Sequence, residues 1–143
     1  MTSRPRAVLL DTCAVIWLPG GGLSPAILDM LIHAGSTDGV FVSPVSAWEI
    51  GMLARSRRSR DRADFLPDPV RWFAEVMSQP MVREAPLTVG AAITASLLPE
   101  PLHNDPADRL LIATAREKDL PIVTRDGKIL DYAALGHVQA IAC

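Results

Sequence analysis

Two acidic residues stand directly after apolar runs, where a carboxylate can take part in chemistry. Asp11 follows the β-rich run Ala7–Leu10, and Asp126 lies just beyond a second run, Ile122–Thr124. In open parallel sheets, ligands bind outside the carboxyl ends of the strands, so both acids would stand at that edge. Taken alone, each is also a residue type that favours turns and helix N-caps.

Glu49 is a third candidate, because a purely structural role explains its position less well. On the helix predicted after Ser43, its neighbours at three and four residues are mostly apolar: Val45, Ser46, Met52 and Leu53. Glu49 is therefore expected on or beside the buried stripe, where a carboxylate is costly unless it is paired or bound to metal. A buried salt bridge to an arginine, or a different helix phase, would also explain it.

Asp105 and Asp108 open the strongest predicted helix, with Pro106 at its first position. Asp105 suits the N-cap, and a second acid in the first turn suits the helix dipole. A helix start can also direct carboxylates into a site. Asp108 is the better candidate for a metal ligand. Asp105 is expected mainly to cap the helix and is a second ligand candidate beside Asp108.

A cluster of four or five carboxylates needs a cation, because like charges at one edge repel each other. All-oxygen donor sets suit Mg²⁺ or Mn²⁺, which keep several waters and bind phosphates. One or two such ions can activate water and stabilise the attacking and leaving oxygens of a phosphodiester. The residues thus indicate metal-dependent phosphodiester hydrolysis.

Two threonines stand next to these acids. The hydroxyls of Thr12 and Thr124 could orient a carboxylate, a water or a phosphate. For Thr12, a helix cap is the simpler expectation. For Thr124, a purely structural role and a role in orienting groups of the site are about equally supported.

The surrounding elements predict how such a site is held. Apolar, β-rich runs alternate with helical patterns, which favours βα units, an α/β fold and a mostly parallel sheet. Strands are predicted at residues 7–10, 40–42, 82–87, 121–124 and 138–141. One helix is predicted after Asp11, and five others after the N-cap signals Ser24, Ser43, Asp68, Thr88 and Asp105. A sheet of about four to five strands flanked by helices, as one domain over residues 1–143, is the expectation.

The composition is that of a globular protein, and its overall charge does not indicate a class of binding partner. Of the 143 residues, 49% are apolar, and the net charge is −2, so a nucleic-acid footprint would have to be local. No apolar run approaches the ~20 residues that span a bilayer, and the N-terminal run is too short for a signal-peptide core. Cys13 and Cys143 form no metal-ligand pair or disulfide framework. We expect a cytoplasmic protein without a membrane partner.

The remaining candidate surfaces are weaker. One basic cluster could contact RNA phosphates or an acidic partner protein, although charge runs are often solvated loops; it comprises Arg55, Arg57, Arg58, Arg60 and Arg62. The three histidines show no pairing pattern and are expected to be structural or on the surface: His33, His103 and His137. The tryptophans fall in helical stretches and are expected in the core or at an interface: Trp17, Trp48 and Trp72.

Four motifs in order resemble those of a known family. Residues 9–17 (LLDTCAVIW), 46–50 (SAWEI) and 105–115 (DPADRLLIATA) are similar to the first three motifs of PIN-domain ribonucleases. The sequence Thr124-Arg125-Asp126, followed by Lys128, Ile129 and Tyr132, resembles the fourth. The resemblance spans Val8 to Tyr132, and within the family it is greatest to VapC-type toxins of bacterial toxin–antitoxin pairs.

This resemblance implies a compact α/β fold and Mg²⁺- or Mn²⁺-dependent endoribonuclease activity that leaves a 5′-phosphate and a 3′-hydroxyl. It implies an acidic quartet of Asp11, Glu49, Asp108 and Asp126, with Asp105 as an extra acid. It also implies a homodimer and a cognate antitoxin whose tail blocks the active site. Many relatives carry His at the position of Cys13 and Phe at that of Ala107, which affects local packing and substrate preference only.

Three other functions compete with a ribonuclease toxin. A phosphatase of the haloacid-dehalogenase type needs a second Asp two residues after the first, where this chain has Cys13. A signalling receiver domain needs a pair of acids after its first strand, where Asp11 stands alone. A catalytically silent PIN-like module that binds RNA or protein is the third, and none of the four acids has been lost as such a module would predict.

Overall fold

Five parallel strands form the central sheet of the computed structural model, which describes residues 4–56, 58, 65 and 68–143. Their order across the sheet is β3-β2-β1-β4-β5, so the first strand lies in the middle. The strands are β1 (Ala7–Leu10), β2 (Gly39–Val42), β3 (Val82–Glu84), β4 (Ile122–Thr124) and β5 (Ala140–Ala142). The predicted α/β fold with a parallel sheet of four to five strands is confirmed.

Alternation along the central strand divides the core into two layers. Successive side chains of a strand point to opposite faces, and Val8, Leu9 and Leu10 are all fully buried. Leu9 packs in one cluster with Ile122, whereas Val8 and Leu10 pack in the other with Val123. A strand buried on both faces reads as an unbroken apolar run, which is why this one could be recognised in the sequence.

Helices cover both faces of the sheet, and most begin where a capping side chain predicts it. Within the described residues they are α1 (Thr12–Gly20), α2 (Pro25–Gly35), α3 (Pro44–Ala54), α4 (Pro69–Met77), α5 (Val89–Ser96), α6 (Pro106–Lys118) and α7 (Gly127–Ala134). All five predicted N-caps accept a hydrogen bond from a backbone N–H of the first turn, namely Ser24, Ser43, Asp68, Thr88 and Asp105. Such a cap stabilises a helix by about 1 kcal/mol.

The sequence prediction was wrong or incomplete at three elements. No helix was predicted between the fourth and fifth strands, but α7 lies there, begins at the Asp126 cap and buries Ile129 and Tyr132. The third strand ends at Glu84 instead of Leu87. The last strand begins at Ala140, two residues later than predicted. Short edge strands have few ladder bonds, so their ends are set by neighbours rather than by their own pattern.

Among the described residues, no single helix is long and apolar enough to cross a bilayer. The pair α1 and α2 passes that test of length and composition only when taken together, and the two helices are bent by 102° at their junction.

Candidate metal-binding active site

The two central strands deliver Asp11 and Asp126 to one edge of the sheet. β1 and β4 are parallel neighbours, and the Asp11 N–H donates to the carbonyl of Val123 at 3.0 Å. Asp11 caps α1 through the Thr12 N–H at 2.8 Å, and Asp126 caps α7 through the Lys128 N–H at 2.8 Å. Both acids therefore lie where parallel strands turn into helices, as predicted from their positions after apolar runs.

Thr124 links these two acids. Its hydroxyl donates to Asp11 Oδ2 at 2.6 Å and accepts from the Asp126 N–H at 3.0 Å. The Thr124 side chain is fully buried. This hydroxyl fixes one oxygen of the Asp11 carboxylate and leaves the carboxylate only limited freedom to rotate.

Thr12 has a comparable relation to Glu49, and the expectation that it caps a helix is wrong. Asp11 takes the N-cap, so that Thr12 is the first helical residue and its hydroxyl is free for other partners. That hydroxyl donates to Glu49 Oε1 at 2.5 Å and lies 2.9 Å from the Ser46 hydroxyl. The sequence therefore predicted a helix cap at this point of the chain, but placed it one residue too late.

Glu49 is half-buried on α3, as its apolar neighbours predict. No salt bridge to an arginine is recorded for it among the described residues, so the alternative explanation does not hold there. Burial raises the pKa of Glu49, and the negative charges of Asp11 and Asp108 raise it further, against the opposing effect of the Thr12 hydrogen bond.

Asp105 and Asp108 occupy different environments at the start of α6. Asp105 is exposed and caps the helix, with its Oδ1 accepting from the Asp108 N–H at 3.1 Å. Burial raises the pKa of Asp108 from 3.8 to about 6, and the charges of Asp105, Asp11 and Asp126 act in the same direction. A hydrogen bond from His103 opposes this shift.

All five acids line one cavity of about 510 Å³ at the carboxyl edge of the sheet. They come from four parts of the chain that are distant in sequence: the end of β1, α3, the start of α6 and the segment after β4. Apolar side chains complete the wall, and Arg125 is the one cation among the described residues that line it. The lining consists of Asp11, Thr12, Cys13, Ile16, Trp17, Glu49, Leu53, Asp105, Asp108, Arg125 and Asp126.

The donor set fits a hard divalent cation. Burial first, and repulsion between neighbouring carboxylates second, raise the pKa values of Glu49 and Asp108, and a bound cation would oppose both effects. Among the described residues, no three Asp, Glu, His or Cys side chains are close enough to hold a metal by themselves. Mg²⁺ retains several waters and needs only one or two direct carboxylate ligands, so oxygens spread around an open cavity suit it better than they suit Zn²⁺.

Two further side chains near the cavity were missed in the sequence. Arg125 lies over Trp17, with its guanidinium carbon 3.6 Å from the ring centroid, and donates to the carbonyl of Cys143 at 3.1 Å. His103 Nε2 lies 2.6 Å from Asp108 Oδ2, a contact with an acid of the cavity that the sequence did not predict. Its position two residues before the Asp105 cap was the available signal.

The structure describes only part of the other surfaces predicted from the sequence. Arg55 and Arg58 are exposed, and the rest of the basic cluster, Arg57, Arg60 and Arg62, lies outside the described residues. Trp72 packs edge-on against Phe65 with ring centroids 5.0 Å apart, as expected of a core residue. Trp48 is 53% exposed, as an interface residue can be. His137 stacks on Tyr132 and is structural, as expected.

The burial of Cys13 argues against a nucleophilic role for this thiol beside the carboxylates. Burial and the charge of Asp11 raise its pKa to about 11. A thiol with such a pKa is almost entirely protonated at neutral pH, and only the thiolate is a nucleophile. The carboxylates are therefore the candidates for the chemistry of the cavity.

Comparison with known proteins agrees with this geometry. The PIN domain family model matches residues 8–135. The chain is 33% identical over 128 residues to Ribonuclease VapC22 of Mycobacterium tuberculosis, covering 87% of this chain and 91% of that protein.

Solved structures with the same fold include toxin–antitoxin complexes. One is VapBC2 from Rickettsia felis bound to a promoter DNA fragment, with a TM-score of 0.65 at 10% identity over 95% of this chain and 98% of that one. Another is VapBC-5 from Mycobacterium tuberculosis, with a TM-score of 0.58 at 21% identity over 96% of this chain and 98% of that one. The match of the family model and the identity to a VapC protein together show that this chain belongs to the PIN domain family, and that it is of the VapC type.

Proposed function

We propose that this chain is a metal-dependent endoribonuclease and the toxin of a bacterial toxin–antitoxin pair. The observation that carries the proposal is the convergence of Asp11, Glu49, Asp108 and Asp126 on one cavity. The 33% identity to a protein named a ribonuclease supports RNA as the substrate. RNA and a partner antitoxin would both be met in the cytoplasm, which is where we expect the protein to act.

The four carboxylates would hold one or two Mg²⁺ or Mn²⁺ ions, with Asp105 adding negative charge at the rim. Bound there, the ion supplies Lewis-acid stabilisation to the phosphodiester oxygens. Thr124 and Thr12 hold Asp11 and Glu49 in place through hydrogen bonds of 2.6 and 2.5 Å. One of the carboxylates accepts the proton of the attacking water, and hydrolysis in line leaves a 5′-phosphate and a 3′-hydroxyl.

Arg125 suits the placement of the RNA backbone beside this acidic site. Its guanidinium lies over the ring of Trp17, and Arg125 lines the same cavity. A stacked arginine loses little side-chain entropy when it binds, and its planar donors match phosphate oxygens. The exposed Arg55 and Arg58 would extend the contact, through phosphates and without reading bases.

Protein partners follow from the relatives and from exposed apolar side chains. Structural neighbours are VapBC complexes, which supports a cognate antitoxin that covers the cavity. Val89, Ile93 and Leu97 on and just after α5 are 79, 60 and 75% exposed and recur every four residues, so they share one helix face. A homodimer that buries apolar faces of this kind would explain their exposure. Light scattering of the purified chain measures the oligomeric state.

The test is cleavage of total bacterial RNA by purified, antitoxin-free protein with Mg²⁺, with Mn²⁺ and with chelator. Asp11→Asn should abolish cleavage, because it removes a charge from the cavity and leaves one oxygen where the carboxylate accepts from both the Thr124 hydroxyl and the Thr12 N–H. Asp68→Asn is the matched control, since Asp68 is an exposed cap of α4 outside the cavity and Asn caps equally well.

Three outcomes are informative. Metal-dependent cleavage lost only in Asp11→Asn supports the nuclease, and sequencing of the cut ends then identifies the target. Cleavage that persists in chelator or in Asp11→Asn contradicts the proposed site. Folded protein that cleaves nothing with either ion supports instead a catalytically silent module that binds RNA or protein.

A further inference from the structure

We propose that His103 is a positioning residue, which holds the Asp108 carboxylate in the orientation that binds metal, and that Arg109 fixes His103 in turn. The inference rests on the proposed metal-dependent function and extends it to two residues outside the acidic set. It concerns the loop of residues 97–105 between α5 and α6. This loop contacts the first turn of α6 at Asp108, through His103, and at Arg109.

The contact between His103 and Asp108 is short and largely shielded from water. Nε2 lies 2.6 Å from Oδ2, and the two side chains are 18 and 15% exposed. An ionised carboxylate has only acceptors, so His103 must donate from Nε2 in that state. Within the described residues Oδ1 of Asp108 takes part in no recorded hydrogen bond, which leaves that oxygen for a ligand.

His103 is placed to orient and not to ligate. Asp108 is among the described residues that line the cavity, whereas His103 is not. The imidazole therefore approaches the carboxylate from the side of the loop. Metal-ligating carboxylates are commonly held by such a second hydrogen bond, and its removal typically costs 10- to 100-fold in metal affinity or activity.

Arg109 holds the loop that carries His103. Its guanidinium donates to three backbone carbonyls, those of His103 at 2.9 Å, Leu102 at 3.0 Å and Ala95 at 3.1 Å. It also donates to the Glu100 carboxylate at 3.1 Å. Arg109 is only 9% exposed. A planar guanidinium with this many partners has one orientation, and it defines the path of the backbone at His103.

Adjacent positions on α6 make this arrangement possible. Successive residues of a helix point about 100° apart, so Asp108 faces the cavity while Arg109 faces the loop. The loop then returns past Arg109 and brings His103 back to Asp108, five residues ahead in the sequence. Neighbouring negative charges repel the Asp108 carboxylate, and a fixed donor on Oδ2 opposes its rotation away from the site.

The test compares two neutral substitutions of the same residue. Gln places its amide nitrogen near the position of Nε2, whereas Asn ends one bond shorter. Binding of Mn²⁺ to the full chain, without RNA, is measured by electron paramagnetic resonance or calorimetry. We expect His103→Gln to bind Mn²⁺ within threefold of wild type and His103→Asn to bind it about 10- to 100-fold more weakly.

Controls separate positioning from a general loss of structure. His33→Asn repeats the substitution on α2, away from the cavity, and should leave Mn²⁺ affinity unchanged. Melting temperatures of all variants are recorded in chelator. With RNA as substrate, His103→Asn should need more Mn²⁺ for half-maximal rate, and saturating Mn²⁺ should restore much of that rate.

Each result distinguishes this inference from the proposed function. Equal Mn²⁺ affinity in His103→Asn and wild type overturns the positioning role while the metal site stands. Equal weakening in the Gln and Asn variants overturns it too, because the donor at Nε2 would then not matter. A wild-type chain that binds no Mn²⁺ overturns both proposals.

Discussion

Asp108 and Arg109 are neighbours on α6, yet their charges are treated in opposite ways by the fold. Arg109 is buried among three carbonyl oxygens and the Glu100 carboxylate, so its charge is balanced within the chain. Asp108 is half-buried beside other acids, and its pKa is raised to about 6 by burial and by their charges. The charge of Arg109 is therefore neutralised within the chain, whereas that of Asp108 is not.

The difference indicates which side serves the fold and which serves a ligand. A buried charge with all its partners in place stabilises one conformation, and the loss of that charge leaves the partners unpaired. Carboxylates held close together without compensation lower stability, and sites for function are where such arrangements persist. Substitution of Arg109 should therefore act mainly on stability and reach metal binding only through His103, whereas substitution of Asp108 should act directly on metal binding and on the pH dependence of stability.

Arg109→Met should have the largest effect on stability. It retains much of the side-chain volume but leaves carbonyls of Ala95, Leu102 and His103 without their donor. An unpaired buried polar group costs about 1–3 kcal/mol, so we expect a loss of about 3 kcal/mol in the free energy of unfolding. Denaturant unfolding with a comparison of midpoints and slopes measures it.

The matched control for that variant is Arg116→Met on the same helix. Arg116 is exposed and donates to the carbonyl of His137. Its loss should cost no more than about 1 kcal/mol, because water replaces the bond at an exposed carbonyl. Equal losses in the two variants would show that the Arg109 side is not the more strongly stabilised one.

Asp108→Asn should show the opposite response, with a stability gain that depends on pH. The folded protein holds the Asp108 proton more tightly than the unfolded chain does, because the folded pKa is raised from 3.8 to about 6. Metal-free wild type should therefore lose stability as pH rises from about 4 to about 6. Asn stays neutral, so at pH 7 the variant should be more stable by about 1–2 kcal/mol, allowing for solvent screening.

Metal should reverse that order. An ion that binds only the folded state at 100 times its dissociation constant adds about 2.7 kcal/mol of stability. We expect Mg²⁺ to stabilise wild type and the Asp68→Asn control, but to do so far less for Asp108→Asn. Thermal melts in Mg²⁺ and in chelator between pH 4 and 8 measure both effects. A wild type less stable at pH 4.5 than at pH 7 in chelator, with Asp108→Asn changing nothing, would refute this account.

Much of the fold was predictable because local signals and the global fold agree. The central strand is an unbroken apolar run that ends at Asp11, and five helix starts carry a side chain that caps them. α7 was not predicted, because Asp126 suits a turn or a ligand as well as the N-cap with which this helix begins. The third strand has three residues, too few for a pattern to define its end.

The candidate site divides along similar lines. Asp11, Glu49, Asp108 and Asp126 could be identified because each type was unusual for its position or matched a family motif. His103 could not, since its partner is fixed by the path of a loop, and that path is set by Arg109. Arg125 on Trp17 is likewise a contact across more than a hundred residues. Pairings of this kind arise from tertiary packing and have no local spacing.

Asp105 takes part in both the helix cap and the acidic cavity, and its substitution should have the smallest effects. Asn caps a helix as well as Asp does, so Asp105→Asn should change the unfolding free energy by less than about 0.5 kcal/mol. Asp105→Ala should cost about 1 kcal/mol through loss of the cap to the Asp108 N–H.

For metal binding the same pair of variants should behave alike. Asp105 is exposed, and an exposed charge a few ångströms from an ion contributes only about 0.5–1 kcal/mol. Both variants should thus bind Mn²⁺ about two- to fivefold more weakly at low salt, with the difference shrinking in high salt as screening grows. A loss of tenfold or more that high salt does not reduce would instead make Asp105 a direct ligand. The N-cap of α6 would then belong, with Asp108, to the acids whose charge is balanced by the metal and not by the chain.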